Sequence, residues 1–127
     1  MPKTIYDTRF LVELYYSKDE KTLNKLKAEK TRKEKHISTI VLHEVYKLTL
    51  AREGRQTAQL RTTLLEEDFK TVPVTADIAK ASAELRHKYK ISMGDSIIAA
   101  TAQILKATCI SDDPHFQKIK EINTKWI

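Results

Sequence analysis

Four carboxylates in this sequence stand where carboxylates are hard to accommodate. Asp7 ends a short β-rich run, KTIYDT (3–8). Glu44 lies within the helical segment IVLHEVYKLTLARE, where Ile40, Val41 and Leu48 fall within about 60° of it at 100° per residue. That places it inside the apolar stripe, where an unpaired carboxylate is costly. Asp95 opens MGDSIIAATAQILKA (93–107), which from Ser96 onward has almost no polar side. A helix apolar all round is normally buried, so Asp95 is drawn inward with it. Asp113 follows the apolar run ATCIS (107–111). Ligand sites of open parallel sheets lie beyond the carboxyl ends of strands, which puts Asp7 and Asp113 at one rim.

Each of the four has a simple structural explanation. Asp95 can cap its helix, and Asp113, ahead of Pro114, can shape a turn. Asp7 can pair with Arg9, and Glu44 with a lysine such as Lys47. A single cause would serve all four: they converge on a divalent cation. Carboxylates held close together repel and raise each other's pKa unless a cation is present. Hard oxygen ligands with open water positions suit Mg2+ or Mn2+. A helix N-terminus behind Asp95 also favours the anion.

The elements that must carry these groups alternate between the two periodicities. After KTIYDT, RFLVELYY has helical spacing. Residues 18–35 hold eight Lys or Arg against four acids and predict a solvated helix or, with equal claim, a contact surface for a polyanion's phosphates. HIST (36–39) reads as a strand followed by a cap, and Gly54 stands where a helix C-terminal glycine belongs. QTAQLRTTLLEEDF is amphipathic. KTVPVT (70–75) is a strand whose Pro73 points to an edge or an end. Thr75 can cap ADIAKASAELRHKYK, and ATCIS is a buried strand. The closing KWI suggests an edge strand. Strands alternating with helices imply an α/β fold with a mostly parallel sheet.

Composition narrows the chemistry. The 127 residues are 41% hydrophobic and 31% charged, consistent with one domain over residues 1–127. A net charge of +6 favours a polyanionic or acidic partner. Cys109 is the only cysteine, which excludes an internal disulfide and a cysteine-built zinc site. The two glycines, Gly54 and Gly94, are too far apart for a GxGxxG or GxxxxGKS phosphate loop. With no leader-like or membrane-length apolar run, a cytoplasmic protein without a membrane partner is expected.

Taken in order, IYDT, STIVLHEVYKL, MGDSIIAATA and CISDDPHF resemble the motifs of PIN-domain nucleases, and in particular the small toxins of VapBC toxin–antitoxin pairs. The likeness spans essentially the whole chain. It implies a three-layer α/β/α fold and Mg2+- or Mn2+-dependent cleavage of RNA. It maps the family's acidic cluster onto Asp7, Glu44, Asp95 and Asp113, and its hydroxyls onto Thr8 and Ser111. It further implies a homodimer held inactive by a cognate antitoxin. Two positions depart from the pattern. Arg9 replaces a residue that is often small and polar, and could hold Asp7 or a substrate phosphate. Asp112 adds a carboxylate without an assigned role; the Ser-x-Asp spacing selects Asp113 as the ligand.

The remaining candidates carry less. HEVYK (43–47) lacks the second histidine of a zinc HExxH site, because position 47 is Lys. His36, His87 and His115 show no ligand spacing and are expected at the surface or in structural roles. Cys109 is expected to be an inert core residue. Tyr15 and Tyr16 could stack on bases, with core packing favoured for at least one. Asp77 suits the first turn of its helix. A housekeeping RNA-processing nuclease and a non-catalytic RNA-binding member of the fold are the rival functions. A receiver-type signalling domain fits less well: it needs an acidic pair after strand one, and only Asp7 stands there.

Overall fold

The computed structural model describes residues 2–127. Met1, the first residue of the expected 1–127 domain, lies outside them. The chain runs β1 (Thr4–Tyr6), α1 (Thr8–Tyr16), α2 (Glu20–Glu29), β2 (Lys35–Ser38), α3 (Thr39–Glu53), α4 (Arg55–Asp68), β3 (Lys70–Val72), α5 (Ala76–Tyr89), α6 (Met93–Leu105), β4 (Thr108–Ile110), α7 (Pro114–Gln117) and β5 (Asn123–Lys125). The strands form one parallel sheet in the order β3-β2-β1-β4-β5, flanked by helices. This is the expected three-layer α/β fold. A receiver domain orders its strands 2-1-3-4-5, so that rival fails on topology.

The order reverses between β1 and β4. From β1 the chain winds outward through β2 to β3; from β4 it winds the other way to β5. Such a switch point opens a crevice at the carboxyl ends of the two central strands. Tyr6 is in register with Ile110, so Asp7 and Ser111 leave the sheet side by side.

All three residues of β1 are buried, as expected when helices cover both faces of a parallel sheet. Tyr6 packs on Phe10 of α1 at 4.6 Å between ring centroids and edge-on to Phe69 at 5.4 Å. α6 lies across β1, β2 and β4, and every residue from Ser96 to Ala102 is buried. Its small side chains, Ala99, Ala100 and Ala102, let it approach the sheet closely. α3 and α4 meet at Gly54, whose φ of +91° is strained for any side-chain-bearing residue.

Three expectations are corrected. The solvated helix expected over 18–35 ends at Glu29, buries Leu26 completely, and gives way to β2 at Lys35. The last strand is Asn123–Lys125 rather than KWI; Trp126 and Ile127 instead pack on the core, with Trp126 edge-on to Phe10. α6 begins at Met93 and is capped by Ser92, whose side chain accepts from the Asp95 amide, so Asp95 is a first-turn residue and not the cap. β3 does end at Val72, just before Pro73, on the sheet edge. Among the described residues, no helix is long and apolar enough to cross a membrane.

Candidate functional site

The crevice between β1 and β4 is built around one buried hydroxyl. Ser111, the residue after β4, donates to Asp7 Oδ2 at 2.7 Å and accepts from the Asp113 amide at 3.1 Å. The Asp7 amide donates to the Ile110 carbonyl at 3.2 Å, extending the β1–β4 ladder by one bond. Asp7 is therefore held on both sides and is only 4% exposed. It stands at the start of α1 without a side-chain cap bond, so its carboxylate is left for other work.

Asp113 caps α7, its Oδ1 accepting from the His115 amide at 2.9 Å. Asp95 reaches the same space from the first turn of α6. All three acids thus sit at helix starts, where the backbone dipole favours negative charge. That is not enough to neutralise them. Burial pushes the Asp7 carboxyl up from 3.8 to about 6, and the charges of Asp95 and Asp113 push the same way against the Ser111 hydroxyl and the Thr8 amide. Asp95 is also raised, by burial and then by Asp113.

The expected simple pairings do not form. Arg9 turns away from Asp7 and grips Asp112 bidentately, with Nε–Oδ1 at 2.5 Å and Nη2–Oδ2 at 3.1 Å. Asp112 is thereby drawn out to the surface, its pKa lowered by that bond, while Asp113 turns inward. Glu44 makes no ion pair with Lys47. Among the described residues, no lysine or arginine pairs with Asp7, Glu44, Asp95 or Asp113.

Glu44 sits beside the crevice rather than inside it. The buried stripe of α3 runs through Val41, Val45 and Thr49, so Glu44 lies half-buried on its border, a correction to the expected core-facing position. Thr8 Oγ1 donates to Glu44 Oε1 at 2.6 Å. On the other side, a Cβ on Gly94 would stand 2.9 Å from Glu44 Oε2. Thr8 neighbours Asp7 and Gly94 neighbours Asp95, so Glu44 is placed by contacts next to both. A groove of about 500 Å3 runs from it past Ile40, His43, Lys47 and Leu48. A hollow of about 560 Å3 between α5 and α6 includes none of these acids.

One member escaped the sequence reading. The His115 Nδ1 lies 3.3 Å from Asp113 Oδ1 and 3.6 Å from Asp95 Oδ2. Ligand atoms of Asp95, Asp113 and His115 fall within 4.8 Å of one another, the span of a metal site. No helical i, i+4 spacing announces this, because the partners come from α6 and the β4–α7 turn. The available signal was Asp-Pro-His itself: Pro114 starts a helix, and its capping Asp113 must face the amide of His115. His36 is buried, its ring beside the Thr4 carbonyl, and Cys109 is buried in β4; both are structural, as expected. Tyr15 and Tyr16 take up Arg61, 4.2 Å above the Tyr15 ring and bonded to the Tyr16 hydroxyl, which binds α4 to α1.

The sequence matches the family model of the PIN domain over residues 4–122. No curated protein sequence matches it significantly. Similar folds recur among solved structures. A toxin–antitoxin complex from Klebsiella pneumoniae is 28% identical with a TM-score of 0.76, covering 98% of this chain and 100% of that one. VapBC2 from Rickettsia felis, bound to a DNA fragment from its promoter, is 18% identical with a TM-score of 0.80, covering 98% of both chains. Mycobacterium tuberculosis VapC20, described as a sarcin-ricin loop cleaving toxin, is 21% identical with a TM-score of 0.74, covering 95% of this chain and 99% of that one.

Proposed function

The chain belongs to the PIN domain family, and on that premise we propose that it is a divalent-metal-dependent endoribonuclease, the toxin of a type II toxin–antitoxin pair. The observation that carries this reading is the convergence of Asp7, Asp95 and Asp113 without a lysine or arginine partner among the described residues. Their donor set of carboxylate oxygens fits a hard cation such as Mg2+ or Mn2+. Asp7, Asp95 and Asp113 would hold it, with Glu44 alongside. A bound ion would supply a water of lowered pKa for in-line attack on a phosphodiester and would offset charge on the leaving oxygen.

The chain's own groups do the positioning. Ser111 fixes the Asp7 carboxylate and, through its second bond, the turn that carries Asp113. Thr8 fixes Glu44. Arg9 removes Asp112 from the crevice. His43 and Lys47 line the adjoining groove and supply contacts for the phosphates of an RNA strand. Water attack leaves the substrate 2′-hydroxyl unused, so the products carry 5′-phosphate and 3′-hydroxyl ends.

Similar folds occur in complexes with antitoxins, which supports a cognate antitoxin as partner. The description of the Mycobacterium tuberculosis relative supports RNA as substrate. A homodimer acting in the cytoplasm completes the proposal. The test is cleavage of defined RNAs by antitoxin-free protein in Mg2+, in Mn2+ and in EDTA. Cleavage is expected with either metal, with its loss in EDTA and in Asp95→Asn, while Asp77→Asn stays active. Undiminished cleavage in EDTA overturns the metal-dependent reading.

A further inference from the structure

The reach of His115 into the acid cluster goes beyond what an all-carboxylate site needs. Its backbone is fixed by the bond from its amide to Asp113, and the next residue, Phe116, is completely buried and anchors the short helix. The ring hangs over the mouth of the crevice with its side chain 57% exposed. It is nevertheless turned inward, so that Nδ1 faces one acid from α6 and one from the β4–α7 turn. Two ligands in adjacent octahedral positions at about 2.1 Å from one ion lie about 3 Å apart. The separations of 3.3 Å and 3.6 Å approach that spacing.

We propose that His115 is a nitrogen ligand of the cation held by Asp95 and Asp113, and that it biases this site toward Mn2+ over Mg2+. The inference rests on the metal-dependent reading above. Its physical basis is ligand hardness. Mg2+ favours oxygen and keeps its waters, and carboxylates alone do little to separate it from Mn2+. Imidazole favours the transition ions, whose affinities rise from Mn2+ along the series. A single nitrogen among oxygens therefore acts as a selectivity element, set at the entrance where a ligand can join without rebuilding the core.

The test uses the full chain and the metals themselves. Pulsed electron paramagnetic resonance of the Mn2+-loaded protein, with and without 15N-labelled histidine, reports whether nitrogen is bound directly. Coupling is expected in the wild type and absent in His115→Ala. Calorimetric titrations of wild type, His115→Ala and His115→Gln should show Mn2+ affinity falling about tenfold in both variants while Mg2+ affinity changes by about twofold or less. Because the ring is exposed, neither substitution opens the core. Mn2+ bound without a coordinated nitrogen, or equal losses for both ions, overturns the role of His115 and leaves the nuclease reading standing. No saturable binding of either ion to wild type overturns both.

Discussion

Replacing Asp7 by Asn should stabilise the metal-free protein while destroying its activity. Asp7 is nearly fully buried, and its carboxyl rises from 3.8 to about 6 through burial first and the neighbouring acids second. Such a rise means the folded state holds the proton more tightly than the unfolded chain does. The contribution of this group to stability is therefore greatest below 3.8, falls as pH rises to about 6, and stays flat above. At neutral pH the ionised group costs the folded state about 3 kcal/mol. Asn keeps the shape and an oxygen for the Ser111 hydroxyl, but that bond to a neutral acceptor is weaker by about 1 kcal/mol. The net gain is about 2 kcal/mol, or about 6–10 °C in Tm for a chain of this size. Melting curves of wild type and Asp7→Asn in EDTA at pH 7.5 and pH 4 check it. The difference should be large at pH 7.5 and close to nothing at pH 4. A variant less stable than wild type at pH 7.5, or a gain that ignores pH, would refute the reasoning, because the crevice would then not be electrostatically strained.

Two further outcomes separate neighbouring residues. Asp113→Asn should abolish most RNA cleavage, whereas Asp112→Asn, which breaks only the exposed pair with Arg9, should keep most of it and cost at most about 1 kcal/mol of stability; the reverse ranking in a cleavage assay would exchange their roles. Gly94→Ala should leave Tm unchanged or slightly higher, since alanine is the better helix former by up to about 1 kcal/mol. Its Cβ must nevertheless push the Glu44 carboxylate from its place, so cleavage should fall; full activity would show that Glu44 need not sit there.

The parts legible in the sequence were those carried by local chemistry. The apolar run after Ser96 marked α6, and Gly54 and Pro73 marked the ends of α3 and β3. The parts that were not legible depend on distant partners. Asp95 was an acceptable cap, and only the start of α6 at Met93 gives that place to Ser92. A helical wheel placed Glu44 among Ile40, Val41 and Leu48, but the sheet and α6 selected the stripe through Val45 and Thr49, leaving Glu44 to Thr8. Arg9 had Asp7 two positions away and instead found Asp112, 103 positions away, with better fork geometry. His115 was passed over because one of its two acid neighbours, Asp95, comes from α6, far away in the sequence.

The bond between Ser111 and Asp7 joins residues 104 positions apart. Parallel pairing of β1 with β4 makes this unavoidable, since the whole run of helices between them must be laid down first. At about 5–20 residues per second, the ribosome delivers Ser111 roughly 5–20 s after Asp7. Throughout that interval the nascent chain carries its first acid in an unfinished sheet, without the strand that fixes it or the turn that brings Asp113. The crevice thus closes only after β4 and the turn that carries Asp113 have been made. Until synthesis has passed Asp113, the acids of the crevice have no way to be brought together.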